Sequence, residues 1–576
     1  MTWFTESPMW QSGPWSFSVR GDEIADIAFD GRPVLRSVRA VVRDRNWDTA
    51  ELVVDRVKDS GSTLTLHVRS VGLDSSFHGV VRVEARGNRL VVIADLESER
   101  EFATNRTGLV VLHPPQLAGR ALRVTHTDGT TEEASFPRAI SPDQPVLDIA
   151  QLSWLYAGSE VSVAFDGDVF EMEDQRNWSD ASYKTYSRPL ALAFPYAIAA
   201  EGRVRQSVQI DVREVTASAS SPDSDLVRLT VGGPVFELGV GAATAPDPAP
   251  ADRGQKPDAV LVELDLRTPN WPAALCRAAG AGAPLDVRVI ASARAPFDEL
   301  ATELTAVAAT PGILRIGVFE AELHVTDAAV LAALRAALKA ADVRMPIIAG
   351  SRAHFTELNR EWDIIPRDVD GVAFSTTPLF HSLGTEQLVE AVAVQRTIAR
   401  QAVALADGLP VHVGPVTLRP RYNDVATTPP SLPTRSDLEQ GYGAEFTGAA
   451  DPRQAAPELA AWTIASAAAV AVPGVASIAY FEEWGDRGIR SASGDPFPVG
   501  DAFDALGELT DSHAQLLWGD SPDGLIWAVG AHRDDGDVVL IANLDRVPRE
   551  LTLRVEDRPC TVHLEPLSFS RVAHEH

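Results

Sequence analysis

ILRIGVFEAELHVTDAAVLAALRAALKAADVRMPIIAGS, residues 313–351, is the stretch that decides the fold. It opens with a short apolar run, continues into an alanine- and leucine-rich run from Thr326 to Asp342, and closes with a second short apolar run. Apolar residues recur every three to four positions in the middle run, which predicts a helix with Thr326 as its N-cap. The flanking runs are apolar throughout, as buried parallel strands are. The stretch therefore predicts a strand–helix–strand unit.

The same alternation continues on both sides of this unit. Runs with helical periodicity separate most of the apolar runs, and eight strands of this kind predict a (β/α)₈ barrel of the TIM type, which we place at residues 233–518. A doubly wound sheet is the alternative, but no glycine-rich nucleotide loop follows the first strand. The eight runs are FELGVG, DAVLVELDL, LDVRVIAS, ILRIGVFE, MPIIAGS, DGVAFSTT, LPVHVGPVTL and VASIAYFEE.

Two β-rich regions flank the predicted barrel. Residues 1–232 alternate polar and apolar side chains and turn at Asp-Gly or Gly-Asn, as in GVVRVEARGNRLVVIADLES. This pattern predicts hairpins within an antiparallel β-sandwich. Residues 519–576 return to the same period of two and predict a small C-terminal β-domain. The expected fold class is multidomain α/β plus all-β, with the active site in the central barrel.

Charge and cysteine content narrow the class of protein. The 576 residues include 80 acidic and 51 basic side chains, a formal net charge of −29. Such a field repels nucleic acid and anionic membranes, so neither is an expected partner. Two widely separated cysteines favour a reducing compartment, and the N-terminal stretch lacks the pattern of a secretory signal. We expect a cytoplasmic protein, and the sequence leaves a homo-oligomer open.

Polar side chains follow five successive strands of the predicted barrel. Active sites of such barrels lie where the strands end, in the loops that follow them. Carboxylate, imidazole, guanidinium and amide groups that converge on one rim therefore predict a site for a small polar molecule. The candidates are Glu320, Arg352, His354, Glu357, Asn359, His381, Arg419, Arg421, Asn423, Glu482, Glu483 and Arg487.

Glu482 is a strong candidate because of the strand that precedes it. Ile478, Tyr480 and Glu482 are two residues apart, so on a regular strand their side chains share one face. If that face points toward the barrel axis, Tyr480 and Glu482 both reach the pocket.

The candidate residues favour general acid–base chemistry. The histidines lack metal-ligand spacing and no G-x-S-x-G follows a strand, so we expect no metal and no organic cofactor. A retaining glycoside hydrolase would use Glu357 and Glu482 as its carboxylate pair. A lactonase would use one base on water, with cationic or amide donors for the oxyanion. A carbohydrate-binding protein without catalysis is the third hypothesis.

The segment FEMEDQRNWSDASYKTYSRPL, residues 170–190, is rich in charged and aromatic side chains. It lies in the predicted sandwich and reaches a barrel site only if the sandwich packs over the strand-end rim. One interpretation is an interdomain clasp, in which Arg176 and Lys184 pair with acidic neighbours while Trp178 and Tyr186 pack on the barrel. The other is direct ligand contact by Asp174, Arg176 and Lys184. Both hold if the clasp forms one wall of the pocket.

Several phrases resemble the D-apionate lactonase family, namely VVRDRNWDT, FEMEDQRNWSDASYKTYSRPLALAFP, HFTELNR, VTLRPRYN and YFEEWGDRG. The resemblance extends over about residues 30–490 and includes little of the C-terminal region. In the last phrase, the residues that match the family pattern are Tyr480, Glu482, Gly485, Arg487 and Gly488. Those that depart from it are Phe481, Glu483, Trp484 and Asp486.

The resemblance implies a carboxylic ester hydrolase that opens the lactone of D-apionic acid, a branched-chain sugar acid, in bacterial apiose catabolism. Its partner would be a small sugar lactone. From the residues we predict Glu482 or Glu357 as the general base on water and His381 as a further catalytic group. The predicted substrate-binding residues are Glu320, Arg352, Asn359, Arg419, Asn423, Tyr480, Asp174, Arg176 and Lys184.

Overall fold

A computed structural model describes residues 3–214, 225–251, 256–308, 312–428, 431–443, 449–510 and 513–574. It contains an N-terminal antiparallel β-structure, a closed parallel barrel and a C-terminal sheet, which confirms the predicted fold class. Along the described ranges, no helix is both long enough and apolar enough to cross a membrane.

The N-terminal region is a large antiparallel sheet around its own apolar core. Strand β8 shows why the sequence builds it, since every second residue from Leu90 to Ser98 is buried. The strands are β1 Met9–Ser12, β2 Trp15–Arg20, β3 Glu23–Phe29, β4 Arg32–Arg43, β5 Glu51–Asp59, β6 Thr63–Val71, β7 Phe77–Arg86, β8 Arg89–Ser98, β9 Phe102–Thr104, β10 Arg106–His113, β11 Ala121–His126, β12 Thr131–Ser135, β13 Val146–Tyr156, β14 Ser159–Asp166, β15 Phe170–Asp174, β16 Tyr183–Ser187, β17 Tyr196–Ile198 and β18 Arg203–Glu214. The order across the sheet is β1-β2-β3-β4-β10-β16-β15-β13-β14-β18-β8-β7-β6-β5, with β11 and β12 attached at β13 and β9 paired with β17 apart from it.

Eight parallel strands close the barrel, and they are the eight runs predicted from the sequence. Strand β25 is buried at every residue, because helices cover the outer face of a barrel strand and other strands cover the inner face. The strands are β20 Glu237–Gly241, β21 Ala259–Asp265, β22 Leu285–Ala291, β23 Ile313–Glu320, β24 Ile347–Gly350, β25 Gly371–Thr376, β26 Val411–Val416 and β27 Val475–Glu482. The helices are α1 Trp271–Ala279, α2 Phe297–Ala308, α3 Ala328–Ala340, α4 Phe355–Arg360, α5 Thr385–Ala406, α6 Glu458–Val470 and α7 Val499–Gly507.

The unit β23–α3–β24 forms as predicted, but with a different cap. Asp327 is the N-cap of α3, and its carboxylate accepts hydrogen bonds from the backbone N–H groups of Ala329 and Val330. The Thr326 hydroxyl instead donates to the carbonyl of Val318, inside the barrel layer. An aspartate is well suited to the cap because its negative charge also meets the positive end of the helix dipole.

The C-terminal sheet contains a strand that precedes the barrel in the chain. Strand β19 pairs in parallel with β31 and antiparallel with β28, so the expected boundary at residue 232 falls inside it. A period-two pattern identifies a strand but not its partners, which is why the sequence left β19 with the sandwich. Helix α6 lies between this sheet and the barrel and is buried on every side. The strands are β19 Leu226–Pro234, β28 Gln515–Trp518, β29 Ile526–Arg533, β30 Gly536–Asn543, β31 Arg549–Val555, β32 Arg558–Leu564 and β33 Ser568–His574, in the order β32-β31-β19-β28-β29-β30-β33.

Candidate active site

A cleft of about 930 Å³ lies where the N-terminal domain covers the strand-end face of the barrel. Its barrel side comes from α4 and from the loops that follow β25 and β26, and this volume lies within the usual range for small-molecule sites. From the N-terminal domain it is lined by Arg43, Trp47, Arg106, Glu173, Trp178 and Lys184, among others. From the barrel domain it is lined by Arg360, Phe380, His381, Arg419, Tyr422 and Asn423, among others.

The clasp segment, residues 170–190, forms one wall of this cleft and also fastens the two domains together. It consists of β15, a short 3-10 helix and β16. Ser179 Oγ lies 2.8 Å from Thr376 Oγ1, and Asp180 Oδ2 lies 2.5 Å from His381 Nδ1. Three of the cleft residues named above belong to the same segment. Trp178 packs beside Phe380 of the barrel domain, whereas Tyr186 packs against Val41 and Val110 within the N-terminal domain, so its expected contact with the barrel is wrong. The clasp and the cleft wall are therefore one structure.

His381 is the one residue of the predicted catalytic set that lines the cleft among the described residues. Its side chain and that of Asp180 are 13% and 4% exposed, and the Trp178 and Phe380 rings meet the imidazole edge-on. Burial raises the pKa of Asp180 to about 8, and burial together with the charge of Lys184 lowers the pKa of His381. A proton held between Nδ1 and Oδ2 leaves Nε2 able to accept another from a molecule in the cleft.

Asp180 was not identified from the sequence. It lies 201 residues from His381 along the chain, and the pair exists only because the clasp segment docks on the loop after β25. The available signal was the unusual density of charged and aromatic residues in that segment.

Positive side chains dominate the cleft. Glu173 forms an ion pair with Lys184, and Arg360 Nη2 lies 3.5 Å from the same carboxylate. Burial alone would raise the pKa of Glu173, but Lys184, Arg360 and Arg106 lower it to about 2. Burial lowers the pKa of Lys184 to about 8, with Glu173 acting in the opposite direction and Arg43 and Arg106 in the same direction. The cleft is therefore suited to negative charge on a ligand.

Glu482 ends β27 but lies beside the loop that follows β20, away from the cleft. Its carboxylate accepts hydrogen bonds from the Thr244 backbone N–H at 2.8 Å and hydroxyl at 2.9 Å, and Arg487 Nε lies at 2.9 Å. The structure thus places Glu482 in a fixed ion pair at the barrel mouth.

Tyr480 faces the helix layer, so the regular alternation predicted for Ile478, Tyr480 and Glu482 is wrong. The Tyr480 hydroxyl donates to Ser466 Oγ of α6 at 2.9 Å. Phe481 adopts a left-handed backbone conformation with φ of 50°, and the strand register shifts between Tyr480 and Glu482. This bulge sends the two side chains to different sides of the strand.

Glu357 lies in the first turn of α4, beside Asp424. Its Oε2 accepts the backbone N–H of His354 at 2.9 Å, which caps the helix. Burial and then the charge of Asp424 raise the pKa of Glu357 well above its ordinary value. Asp424 Oδ2 lies 4.0 Å from His354 Nε2, and its side chain is 1% exposed. Within the described ranges, neither Glu357 nor Glu482 lines the cleft.

Three of the predicted substrate-binding residues line the cleft, namely Lys184, Arg419 and Asn423. Arg419 Nε donates to Asp451 at 2.8 Å, and Asn423 Nδ2 donates to the backbone carbonyl of Asn46 at 2.9 Å. The second bond crosses from the barrel to the N-terminal domain.

Three other predicted residues make buried polar contacts, one of them between the two domains and two within the N-terminal domain. Asn359 Nδ2 donates to the Ile140 carbonyl at 3.2 Å and to Asn177 Oδ1 at 3.0 Å, so it joins the barrel to the N-terminal domain. Arg176 Nε donates to Asp174 Oδ1 at 2.8 Å, and both side chains are buried within the N-terminal domain.

The last two lie at the barrel mouth or in a turn. The Arg352 guanidinium stacks 4.1 Å from the centre of the Tyr422 ring, and its Nε lies 3.5 Å from Glu263. Glu320 accepts hydrogen bonds from the backbone N–H groups of the turn that follows it. Across the described ranges, no three His, Cys, Asp or Glu side chains are arranged to hold a metal ion.

Comparison with known proteins identifies one family over both large domains. A model of the D-apionate lactonase N-terminal domain matches residues 3–215, and a model of the D-apionate lactonase TIM barrel domain matches residues 241–511. A D-apionate lactonase from Brucella anthropi is 28% identical over 527 residues, which cover 85% of this chain and 84% of that one.

Solved structures are more distant. A GH30 endoxylanase from Clostridium papyrosolvens C71 is 10% identical with a TM-score of 0.39, over 62% of this chain and 100% of that one. A beta-arabinopyranosidase is 10% identical with a TM-score of 0.27, over 98% of this chain and 97% of that one. Likeness at this level carries no argument about function.

Proposed function

This chain belongs to the D-apionate lactonase family, and from that premise we propose that it hydrolyses D-apionolactone to D-apionate in the interdomain cleft. Its role as a lactone hydrolase follows from the family. We place the active site in this cleft because the two family-matched domains meet there and the Asp180–His381 pair joins them. Glu482, which the sequence offered as the base, does not line this cleft, and His381 does, so we assign the base to His381.

His381 acts as the general base on water. The Nδ1–Oδ2 hydrogen bond to Asp180 orients the imidazole, and Nε2 takes a proton from the water as its oxygen attacks the lactone carbonyl carbon. Burial lowers the pKa of His381 and so disfavours the imidazolium, and Nε2 is free to act as the base in the form of the pair that holds a single proton, between Nδ1 and Oδ2.

Lys184 stabilises the oxyanion that forms on the carbonyl oxygen. Among nearby charges it has the largest effect on His381, and it lines the same cleft. Collapse of the tetrahedral intermediate breaks the bond from the carbonyl carbon to the ring oxygen, and the ring oxygen takes the proton back from His381. The product is an open-chain hydroxy acid, which loses its acidic proton to solvent.

The glycoside hydrolase hypothesis needs a carboxylate pair on either side of one bond, about 5–5.5 Å apart for retention. Glu357 caps α4 beside Asp424, whereas Glu482 is bound by Thr244 and Arg487 beyond β27. No observation in the described residues favours that activity over lactone hydrolysis.

The test is turnover of D-apionolactone beside a panel of aryl glycosides by the purified protein. Acid release from the lactone, abolished in His381→Ala and retained in Glu482→Gln and Glu357→Gln, is the expected result. A protein that cleaves a glycoside and leaves the lactone intact would contradict the activity. Full activity of His381→Ala with loss in Glu482→Gln would instead move the base to the barrel mouth.

A further inference from the structure

Arg43 and Arg106 form a pair of like charges inside the cleft. They lie directly opposite each other across the antiparallel strands β4 and β10. Both side chains are buried, at 9% and 3% exposure, and both line the cleft. Like charges in directly opposed positions of a sheet are destabilising, so the pair needs a compensating partner.

Few negative groups of the protein neutralise the positive charges of Arg43 and Arg106. Within the described ranges, neither guanidinium has an ion pair with a carboxylate, and the Nε of each lacks a hydrogen-bond partner. Among the carboxylates, Glu173 has the largest effect on Arg43, but it already pairs with Lys184 and lies near Arg360. Burial and the charge of Arg106 lower the pKa of Arg43 to about 10, the direction expected of an uncompensated cation.

Aromatic rings hold Arg106 in place without neutralising it. Its guanidinium lies 3.5 Å from the centre of the Tyr186 ring and 5.2 Å from that of Trp47. Cation–π contacts fix the plane of a guanidinium and leave its N–H groups at the edge for a planar oxyanion. Arg43 and Arg106 therefore form a rigid, buried, two-guanidinium site.

We propose that Arg43 and Arg106 bind the carboxylate of an open-chain sugar acid, so that the hydrolysis product occupies the cleft and competes with the lactone. The identity of that acid rests on the proposed function. A lactone carries no net charge, and ring opening creates one unit of negative charge within reach of two guanidiniums. The same cleft thus prefers product over substrate wherever the product's carboxylate reaches the pair.

Calorimetric titration of the full chain tests this without turnover. The probes are D-apionate, made by alkaline opening of the lactone, and D-apiitol, the alditol that lacks only the carboxylate. We expect D-apionate to bind at least about 10-fold more tightly, and added salt to weaken D-apionate but not D-apiitol. Equal affinities for the two probes would overturn the proposal, as would tighter binding of inorganic phosphate than of D-apionate.

Three variants locate the site. Arg43→Gln and Arg106→Gln are each expected to lose about 10- to 100-fold of D-apionate affinity, and to raise or maintain the melting temperature because repulsion is relieved. Arg188→Gln is the matched control, since Arg188 also stacks on a tyrosine ring in the same domain but does not line the cleft. Unchanged D-apionate binding in both cleft variants would refute the assignment. Binding of D-apionate by a protein that leaves the lactone intact would refute the proposed function and support the carboxylate site.

Discussion

Replacement of Asp180 by asparagine tests whether the Asp180–His381 pair supplies the general base, because it changes this carboxylate and leaves every other carboxylate of the protein in place. The side chains are isosteric and the site is buried, so the fold is expected to persist. An amide donates to Nδ1 where the carboxylate accepted from it, which transfers the imidazole proton to Nε2 and removes the base. General base catalysis contributes about 10²–10⁴ in rate, so kcat should fall by that factor, about 2.7–5.4 kcal/mol in barrier height. KM should change far less.

The pH profile supplies the second signature of Asp180→Asn. Burial raises the pKa of Asp180 to about 8, and the base form of the pair requires loss of one proton. Wild-type kcat/KM should therefore fall as pH decreases through that region, with an apparent pKa that belongs to the pair. The variant should lose this limb. Initial rates of acid release from D-apionolactone, corrected for spontaneous ring opening at each pH, measure both effects.

Asp22→Asn is the matched control for this experiment. Asp22 is also a buried aspartate with a raised pKa, but its carboxylate pairs with Arg39 at 2.7 Å. Its kcat should stay within about threefold of wild type. Asp180→Asn with kcat inside the same range and an unchanged acid limb would refute the assignment of His381 as the base.

Three further substitutions test where the structure places predicted site residues. Tyr480→Phe removes the hydrogen bond to Ser466 and should lower the free energy of unfolding in urea by about 1 kcal/mol, with kcat and KM unchanged. A rise in KM would show instead that Tyr480 contacts the substrate. Asn359→Ala removes interdomain hydrogen bonds and should lower the free energy of unfolding by about 1–3 kcal/mol, with kcat retained at a temperature where the variant is folded. Burial and Asp424 raise the pKa of Glu357, so the folded state holds more protons than the unfolded state above pH 4.5, and stability should decline as pH rises through that window. Glu357→Gln should flatten the decline in unfolding experiments at several pH values, and an unchanged slope would contradict the shift.

Much of the fold could be predicted because its signals are local. A buried barrel strand such as β25 is apolar at every position, and a sandwich strand such as β8 alternates, so each pattern identifies its own kind of sheet. Partner choice is not local. The pattern of β19 fits either β-domain, and only its pairing with β31 assigns it to the C-terminal sheet.

The candidate site was harder to predict for the same reason. The sequence identified His381 and the clasp segment, yet the contact of His381 with Asp180 depends on how two domains dock. The direction of Glu482 depends on Phe481, whose left-handed backbone has no sequence signal because residues with a Cβ seldom adopt it. A rule based on regular alternation fails wherever a bulge resets the strand.

The position of β19 also sets an order of events during synthesis. Its partners in the C-terminal sheet are translated only after the whole barrel, and 288 residues separate Thr230 from its partner Trp518. At about 5–20 residues per second, β19 waits roughly 15–60 s as an unpaired strand. Exposed strand edges of this kind recruit other chains, so the nascent protein is most prone to aggregation in that interval. The edges of β19, a strand made before the barrel, are therefore covered only when β28 and β31 have been made after it.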